Sequence, residues 1–153
     1  MSVIEDATAY EVFDASDKIL GRLSSTVAKR LLMGKRVAVI NAERAVVSGD
    51  KAGIRERYRE RLNLQEKENP EHSPYWSRRS DLLVKRVIRG MLPYRKPRGK
   101  AAYHNLRVFA GVPDAFRGAQ PVALEEKDPR RLYVKHMTVS ELSQLLGYDR
   151  NAR

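Results

Sequence analysis

The chain has 153 residues with 30 lysines and arginines, 19 aspartates and glutamates and no cysteine, so its formal net charge is +11. Its 42% hydrophobic residues are enough for a buried core and exclude a disordered basic tail, while the lack of cysteine excludes disulfides and thiolate metal sites. No apolar run reaches the roughly 20 residues of a membrane helix, and the acidic residues 1–10 do not have the composition of a signal peptide. We therefore expect a cytoplasmic protein with one domain over residues 1–153, whose excess positive charge favours a polyanionic partner.

The first predicted elements are a strand and a helix. Residues 10–15 alternate between apolar and polar side chains, which predicts a short strand, and Ser16 or Asp17 is placed to cap the helix that follows. Gly34 supplies the stop of this helix. Its apolar positions recur at helical spacing: Leu20, Leu23, Val27 and Leu31. The helix is therefore expected to be amphipathic and to cover a sheet.

The next segment predicts a second strand. Residues 36–42 form a β-branched apolar run that is typical of a strand buried on both faces. A strand, a helix and a strand within about 30 residues predict a βαβ unit with parallel strands. Residues 45–48 extend or follow the second strand. Gly49 and Asp50 then open a charged helix. Its apolar stripe is confined to Ile54, Tyr58 and Leu62.

The second half of the chain continues the alternation. Residues 63–77 predict a surface connection, residues 79–92 a strong helix ended by Pro93, and residues 106–110 a strand. A last helix over 138–146 has a possible capping box of Thr138 with Glu141, or Ser140 as its cap. The pattern predicts an α/β domain with a small, mainly parallel sheet flanked by helices.

The positive charge is concentrated in one segment. Residues 78–107 carry ten basic and one acidic side chain, whereas residues 1–77 carry thirteen and twelve and residues 108–153 seven and six. A surface that serves only solubility spreads its charge, while a phosphate-binding surface concentrates it. The segment 78–107 is therefore predicted to be a binding site.

The helix over 79–92 separates its apolar and basic side chains onto opposite faces. The alternative is an ordinary solvated face, but such helices interleave glutamate with the basic residues, and only Asp81 offsets the charge here. Residues 94–100 continue the positive charge. Pro97 and Gly99 predict that this stretch is an extended arm rather than a helix, with backbone able to approach a ligand. A mobile basic loop is the competing interpretation.

Two blocks of sequence carry a family resemblance. VIRGMLP at 87–93, followed by a basic stretch with Gly99 and LRVFAG at 106–111, resembles the large-subunit ribosomal protein family L-thirteen. DASDKILGRLSSTVAKRLLMG at 14–34 and VAVINAERAVVSG at 37–49 agree in the same order. The resemblance covers a core of about 10–113 and is weaker over 114–153, and the overall pattern is most similar to archaeal members.

The resemblance implies a three-layer α/β fold with a four-stranded, mainly parallel sheet, to which the residues above add a basic extended loop. It also implies a structural constituent of the large ribosomal subunit that binds large-subunit ribosomal RNA, contacts neighbouring large-subunit proteins and supports early subunit assembly. The side chains predicted to bind this RNA are Arg22, Arg78, Arg79, Lys85, Arg86, Arg89, Arg95, Lys96, Arg98 and Lys100.

Other classes of function are less well supported. Gly21 lies in a strand-to-helix turn, but a dinucleotide-binding loop needs a G-x-G-x-x-G series, so this glycine is interpreted as a close helix contact. The three histidines are far apart, and we expect no metal, no cofactor, no catalytic residue, no small-molecule substrate and no membrane. The alternative is an α/β enzyme acting on RNA or a nucleotide, with the basic patch as substrate track. Trp76 beside Tyr75 has two interpretations, stacking on a base or a core or rim packing contact; packing is the commoner role of such a pair, so neither residue is included in the predicted site.

Overall fold

Strands and helices alternate along the chain as the sequence pattern predicts. The computed structural model describes residues 9–124 and 135–148. In chain order the elements are β1 (Tyr10–Asp14), α1 (Leu20–Leu32), β2 (Arg36–Ile40), β3 (Val46–Ser48), α2 (Lys51–Asn63), α3 (Ser80–Gly90), α4 (Pro97–His104), β4 (Leu106–Val108), β5 (His136–Thr138) and α5 (Val139–Leu145). Short 3-10 turns occupy Ala42–Arg44, Pro70–His72 and Asp114–Phe116.

The main sheet is parallel and has β2 at its centre. Its order is β1-β2-β4, with Val12 opposite Ala38 and Val37 opposite Leu106. The central strand is buried from Val37 to Ile40, as expected for a strand covered on both faces. The predicted βαβ unit and the α/β fold class are confirmed.

Over the described ranges, the main sheet has three strands where the family resemblance implies four. After β2, Asn41 adopts a left-handed backbone with φ of 54°, and the 3-10 turn that follows takes the chain out of the sheet. The next strand, β3, therefore pairs antiparallel with β5, with Val46 opposite Thr138. Within the described residues, this pair forms a second sheet of two strands.

The start of α1 differs from the prediction, whereas its packing and its end do not. Ile19 takes the cap position, because Ser16 donates its backbone N–H and its hydroxyl to Asp14 and Asp17 has φ of 57°. Gly34 ends the helix with φ of 86°. The four predicted apolar positions, Leu20, Leu23, Val27 and Leu31, are all buried.

Two apolar clusters cover the two faces of the sheet. On one face, Phe13 and Val39 pack in a large core with side chains of α1, α2, α3 and α5. On the other face, Val12, Ala38 and Ile40 pack against Phe116 of the last 3-10 turn. The helices thus lie on one side of the sheet, and α3 is anchored there.

Candidate nucleic-acid interface

Helix α3 is fixed to the core by a regular apolar face. Leu83, Val84 and Ile88 are buried in the large cluster, at the spacing that puts side chains on one side of a helix. The helix is shorter than the predicted 79–92, because Arg79 is its cap and Met91 follows its last residue. A rigid helix anchored in this way holds its outward side chains in defined positions.

Each of the three cations on the middle of α3 lies against an aromatic ring. Arg89 Cζ is 3.9 Å from the ring centroid of Tyr94, and Arg86 Cζ is 4.8 Å from that of Trp76. Lys85 Nζ lies 5.1 Å from the ring of Tyr103. Such cation–π contacts contribute about 0.5–1 kcal/mol at exposed sites and restrict the motion of the cation.

Lys85 is half-buried against the ring of Tyr103. Burial lowers the pKa of its ammonium group, and repulsion from nearby Arg107 lowers it further, with Asp81 opposing the change. Burial likewise raises the pKa of Tyr103, whose ring Lys85 contacts. An anion bound nearby would therefore stabilise the charged form of Lys85, which its surroundings disfavour.

Two further cations join Arg86 and Arg89 at a groove beside the end of α3. Arg95 and Lys96 are exposed in the turn after the helix. We call this feature the arginine–aromatic groove, and it is lined by Trp76, Arg86, Arg89, Gly90, Leu92, Pro93, Tyr94, Arg95 and Lys96. The lining contains four cations and no acidic side chain. Four of the ten predicted site residues thus meet in one place.

The prediction of an extended arm over 94–100 is wrong. A short turn at 93–96 leads directly into helix α4, with Pro97 in the first turn, where its missing N–H costs nothing. Gly99 is buried, and a Cβ at this position would lie 2.1 Å from the Pro93 carbonyl oxygen. The glycine therefore permits close packing of α4 on the turn rather than the approach of a ligand.

Arg98 and Lys100 consequently lie on a helix and not on an arm. The guanidinium of Arg98 donates to the Leu32 carbonyl at 3.2 Å, at the end of α1. Lys100 is exposed on α4. Arg98 therefore links α4 to α1 by a hydrogen bond.

The predicted residues at the other end of α3 are separated from the groove. Arg79 lies ten residues before Arg89, about 15 Å along the helix axis, and donates to Asp81 at 2.7 and 3.2 Å. Asp81 raises the pKa of Arg79 and neutralises its charge locally. The Arg78 side chain is exposed, and its carbonyl accepts a hydrogen bond from Ser143 of α5.

Arg22 is the most remote of the predicted residues. It is exposed in the first turn of α1, about 15 Å along that helix from Leu32, where Arg98 makes its contact. Gly21 beside it is also exposed, and a Cβ there would meet no atom within 4 Å. The interpretation of Gly21 as a close helix contact is therefore wrong.

Sequence reasoning left two participants in the groove region, Trp76 and Arg61, out of the predicted site. The Trp76 ring lies 4.9 Å from Arg61 Cζ of α2 and packs edge-on against Tyr58 at 6.4 Å. Trp76 is thus in contact with a core residue on one side and with arginines of two helices. The sequence signal available for Trp76 was its position four residues before α3. Nothing in the sequence distinguishes Arg61 from the other basic residues of α2, which alternate with acidic ones.

Other classes of site are not formed by the described residues. Within 9–124 and 135–148, no group of three histidine, aspartate or glutamate side chains is arranged to hold a metal ion. No helix in the same ranges is long and apolar enough to cross a membrane.

Comparison with known proteins gives consistent matches. The model of the family described as Ribosomal protein L13 matches residues 8–115. A large ribosomal subunit protein uL13 from Archaeoglobus fulgidus is 44% identical over 141 residues, which cover 91% of this chain and 88% of the relative. The protein of the same name from Methanopyrus kandleri is 40% identical over 94% of this chain and 91% of the relative, and that from Sulfurisphaera tokodaii is 42% identical over 89% and 93%. These relatives extend the similarity into the segment after residue 113, where the sequence resemblance is weaker.

Proposed function

The chain belongs to the ribosomal protein L13 family, and from this premise we propose that it is a structural component of the large ribosomal subunit. It binds large-subunit ribosomal RNA through the arginine–aromatic groove and the adjoining basic surface of α3 and α4. It supports assembly of the subunit, next to neighbouring large-subunit proteins. The family and the relatives are described as ribosomal proteins, which agrees with the prediction of a structural protein and not an enzyme.

The observation that carries this proposal is the convergence of Arg86, Arg89, Arg95 and Lys96 on one groove without an acidic neighbour. Phosphates of folded RNA repel one another, and cations held on a rigid face reduce that repulsion while condensed counterions are released. Such a surface would bind where RNA segments converge. It would recognise backbone shape more than base sequence.

The aromatic rings add preorganisation to this charge. A free arginine side chain carries about 2 kcal/mol of rotamer entropy, part of which is lost when it binds a phosphate. Arg86 and Arg89 are already restrained against Trp76 and Tyr94. They therefore lose less entropy on binding than arginines on an unsupported surface.

The ten predicted residues are not equivalent in this proposal. Arg79 is paired with Asp81 and Arg98 is bonded to the Leu32 carbonyl, so we assign both a smaller share of phosphate binding. Lys85 lies against Tyr103, outside the lining of the groove. Arg22, Arg78 and Lys100 remain exposed cations outside the groove that would contact further RNA segments.

The experiment is a salt titration of binding to a large-subunit ribosomal RNA fragment. We expect Arg86→Ala and Arg95→Ala each to lower the slope of log Kd against log salt by about one. Arg117→Ala is the control for overall charge, since it removes an arginine that is paired with Asp114 beside Phe116, on the opposite face of the sheet. Unchanged slopes in both groove variants, or an equal change in the control, would contradict the proposed site.

A further inference from the structure

The arginine–aromatic groove has a property that phosphate binding does not require. Its walls are aromatic rings already in contact with guanidinium groups. We propose that this groove binds one unpaired nucleobase of the RNA, stacked on the guanidinium planes, in addition to the phosphates around it. The inference rests on the proposed function and specifies which part of the RNA enters the groove.

The first support is the contact of Arg89 with Tyr94. Its Cζ lies 3.9 Å from the ring centroid, close to van der Waals distance, so the guanidinium sits directly over the ring. In the proposed complex, the side of this guanidinium that faces away from the ring is the flat cationic surface. A planar, polarisable base stacks on such a surface, as bases do on arginine planes in RNA-binding proteins.

The second support is the position of Trp76. Arg86 Cζ and Arg61 Cζ lie 4.8 and 4.9 Å from its ring, and the ring itself is half-buried. A surface that only neutralises RNA phosphates does not need a tryptophan side chain at this position. A tryptophan held between a core tyrosine and two arginines forms a fixed wall against which a base can be ordered.

The third support is the separation of charge within the groove. Arg95 and Lys96 lie in the exposed turn, whereas the stacked pairs lie along α3. An extruded nucleotide carries a base on one side of its sugar and phosphate on the other. The exposed cations match the phosphate, and the stacked arginines match the base.

Paired RNA cannot use the groove in this way, because its bases are already stacked in the duplex. The ligand is therefore a bulged or looped-out nucleotide. Stacking is tolerant of base identity, since every base has a π-face. The groove is expected to select unpaired nucleotides over paired ones with little preference among bases.

The test compares three short RNA duplexes with the full-length chain: one fully paired, one with a single bulged adenosine, and one with an abasic nucleotide at the bulge. The abasic duplex has the same backbone flexibility but no base. We expect the adenosine bulge to bind about tenfold more tightly than the abasic bulge. Trp76, the single tryptophan of the chain, should show fluorescence quenching that is larger with the adenosine bulge.

Variants show which residues bind the base. For each protein, the quantity compared is the ratio of its affinity for the adenosine bulge to its affinity for the abasic bulge. Arg89→Lys keeps the charge but removes the planar group, and Tyr94→Leu removes the ring beneath it, so both should bring the ratio close to one. Tyr75→Leu is the matched control, because Tyr75 is an 83% exposed aromatic residue next to Trp76, and it should keep the wild-type ratio.

The outcomes separate the inference from the proposed function. Equal binding of all three duplexes by the wild-type protein overturns the stacked base and leaves the RNA-binding surface in place. A base preference that survives both Arg89→Lys and Tyr94→Leu also overturns it. If the wild-type protein binds none of the three RNAs, the proposed function is overturned together with the inference.

Discussion

Replacing Gly99 with alanine should destabilise the fold and displace two cations of the arginine–aromatic groove at once. The new Cβ would lie 2.1 Å from the Pro93 carbonyl oxygen and 2.9 Å from the Tyr94 nitrogen. A carbon and an oxygen normally approach no closer than about 3.3 Å, so the turn must move by roughly 1 Å. All three obstructing atoms, which include the Pro93 carbonyl carbon, are backbone, so Arg95 and Lys96 move with them.

The expected cost follows from overpacking. Inserting a methyl group into a well-packed contact costs about 1–3 kcal/mol. For a chain of this size that lowers Tm by about 2–4 °C per kcal/mol. Urea unfolding followed by circular dichroism measures the change, and the salt slope of RNA binding measures the displaced cations.

Gly53→Ala is the matched control for this substitution. Gly53 is exposed within α2, and a Cβ there meets no atom within 4 Å. Alanine should therefore stabilise the chain by about 0.5–1 kcal/mol. Equal stability of Gly99→Ala and the wild-type protein would refute the close packing of α4 on the turn at Pro93.

Two further substitutions test the electrostatics of the fold. Asp14 accepts hydrogen bonds from Ser16 and from the Asn41 side chain, so Asp14→Ala should cost about 1 kcal/mol at neutral pH. Burial alone would raise the pKa of Asp14, but these hydrogen bonds bring it below its usual value. Because the folded-state pKa is lowered, this difference should shrink as the pH falls below about 4, and a difference that persists in acid would contradict it. Lys85→Met should raise the Tm of the free protein, because burial disfavours the ammonium group, while weakening RNA binding. The gain in Tm should become smaller as the pH rises through the lowered pKa of Lys85. A Tm below that of the wild-type protein at neutral pH would contradict the claim that burial disfavours the ammonium group.

Local periodicity was sufficient for the elements that carry regular apolar patterns. The buried positions of α1, the central strand β2 and the apolar face of α3 follow from spacing in sequence. The cap of α5 was also among the predicted alternatives, since Thr138 accepts from the Glu141 N–H. In each case, the information lies within one element.

The errors arose where distant residues decide the local structure. In α4, Pro97 is tolerated because it stands in the first turn, whereas Gly99 disfavours a helix in isolation and is explained by its packing on Pro93, which lies outside the helix. Strand β3 leaves the main sheet because its partner β5 lies about ninety residues later in the chain. Periodicity within a single segment does not reveal contacts with residues outside that segment.

The candidate site was predictable as a segment but not as a surface. Charge counting placed it within 78–107, which contains nine of the ten predicted residues. It did not show that Asp81 neutralises Arg79, or that Arg98 bonds to a carbonyl 66 residues away. Nor did it show that Trp76 and Arg61 belong to the same surface. These relations depend on packing between helices.

The central claim is that the arginine–aromatic groove faces ribosomal RNA in the assembled large subunit. The most direct measurement places a photoreactive amino acid at position 95 and maps its crosslinks in purified subunits, with position 117 as the comparison. We predict that position 95 crosslinks to large-subunit ribosomal RNA, at nucleotides next to an unpaired base. Crosslinks from position 95 to protein alone, with RNA crosslinks only from position 117, would contradict the claim.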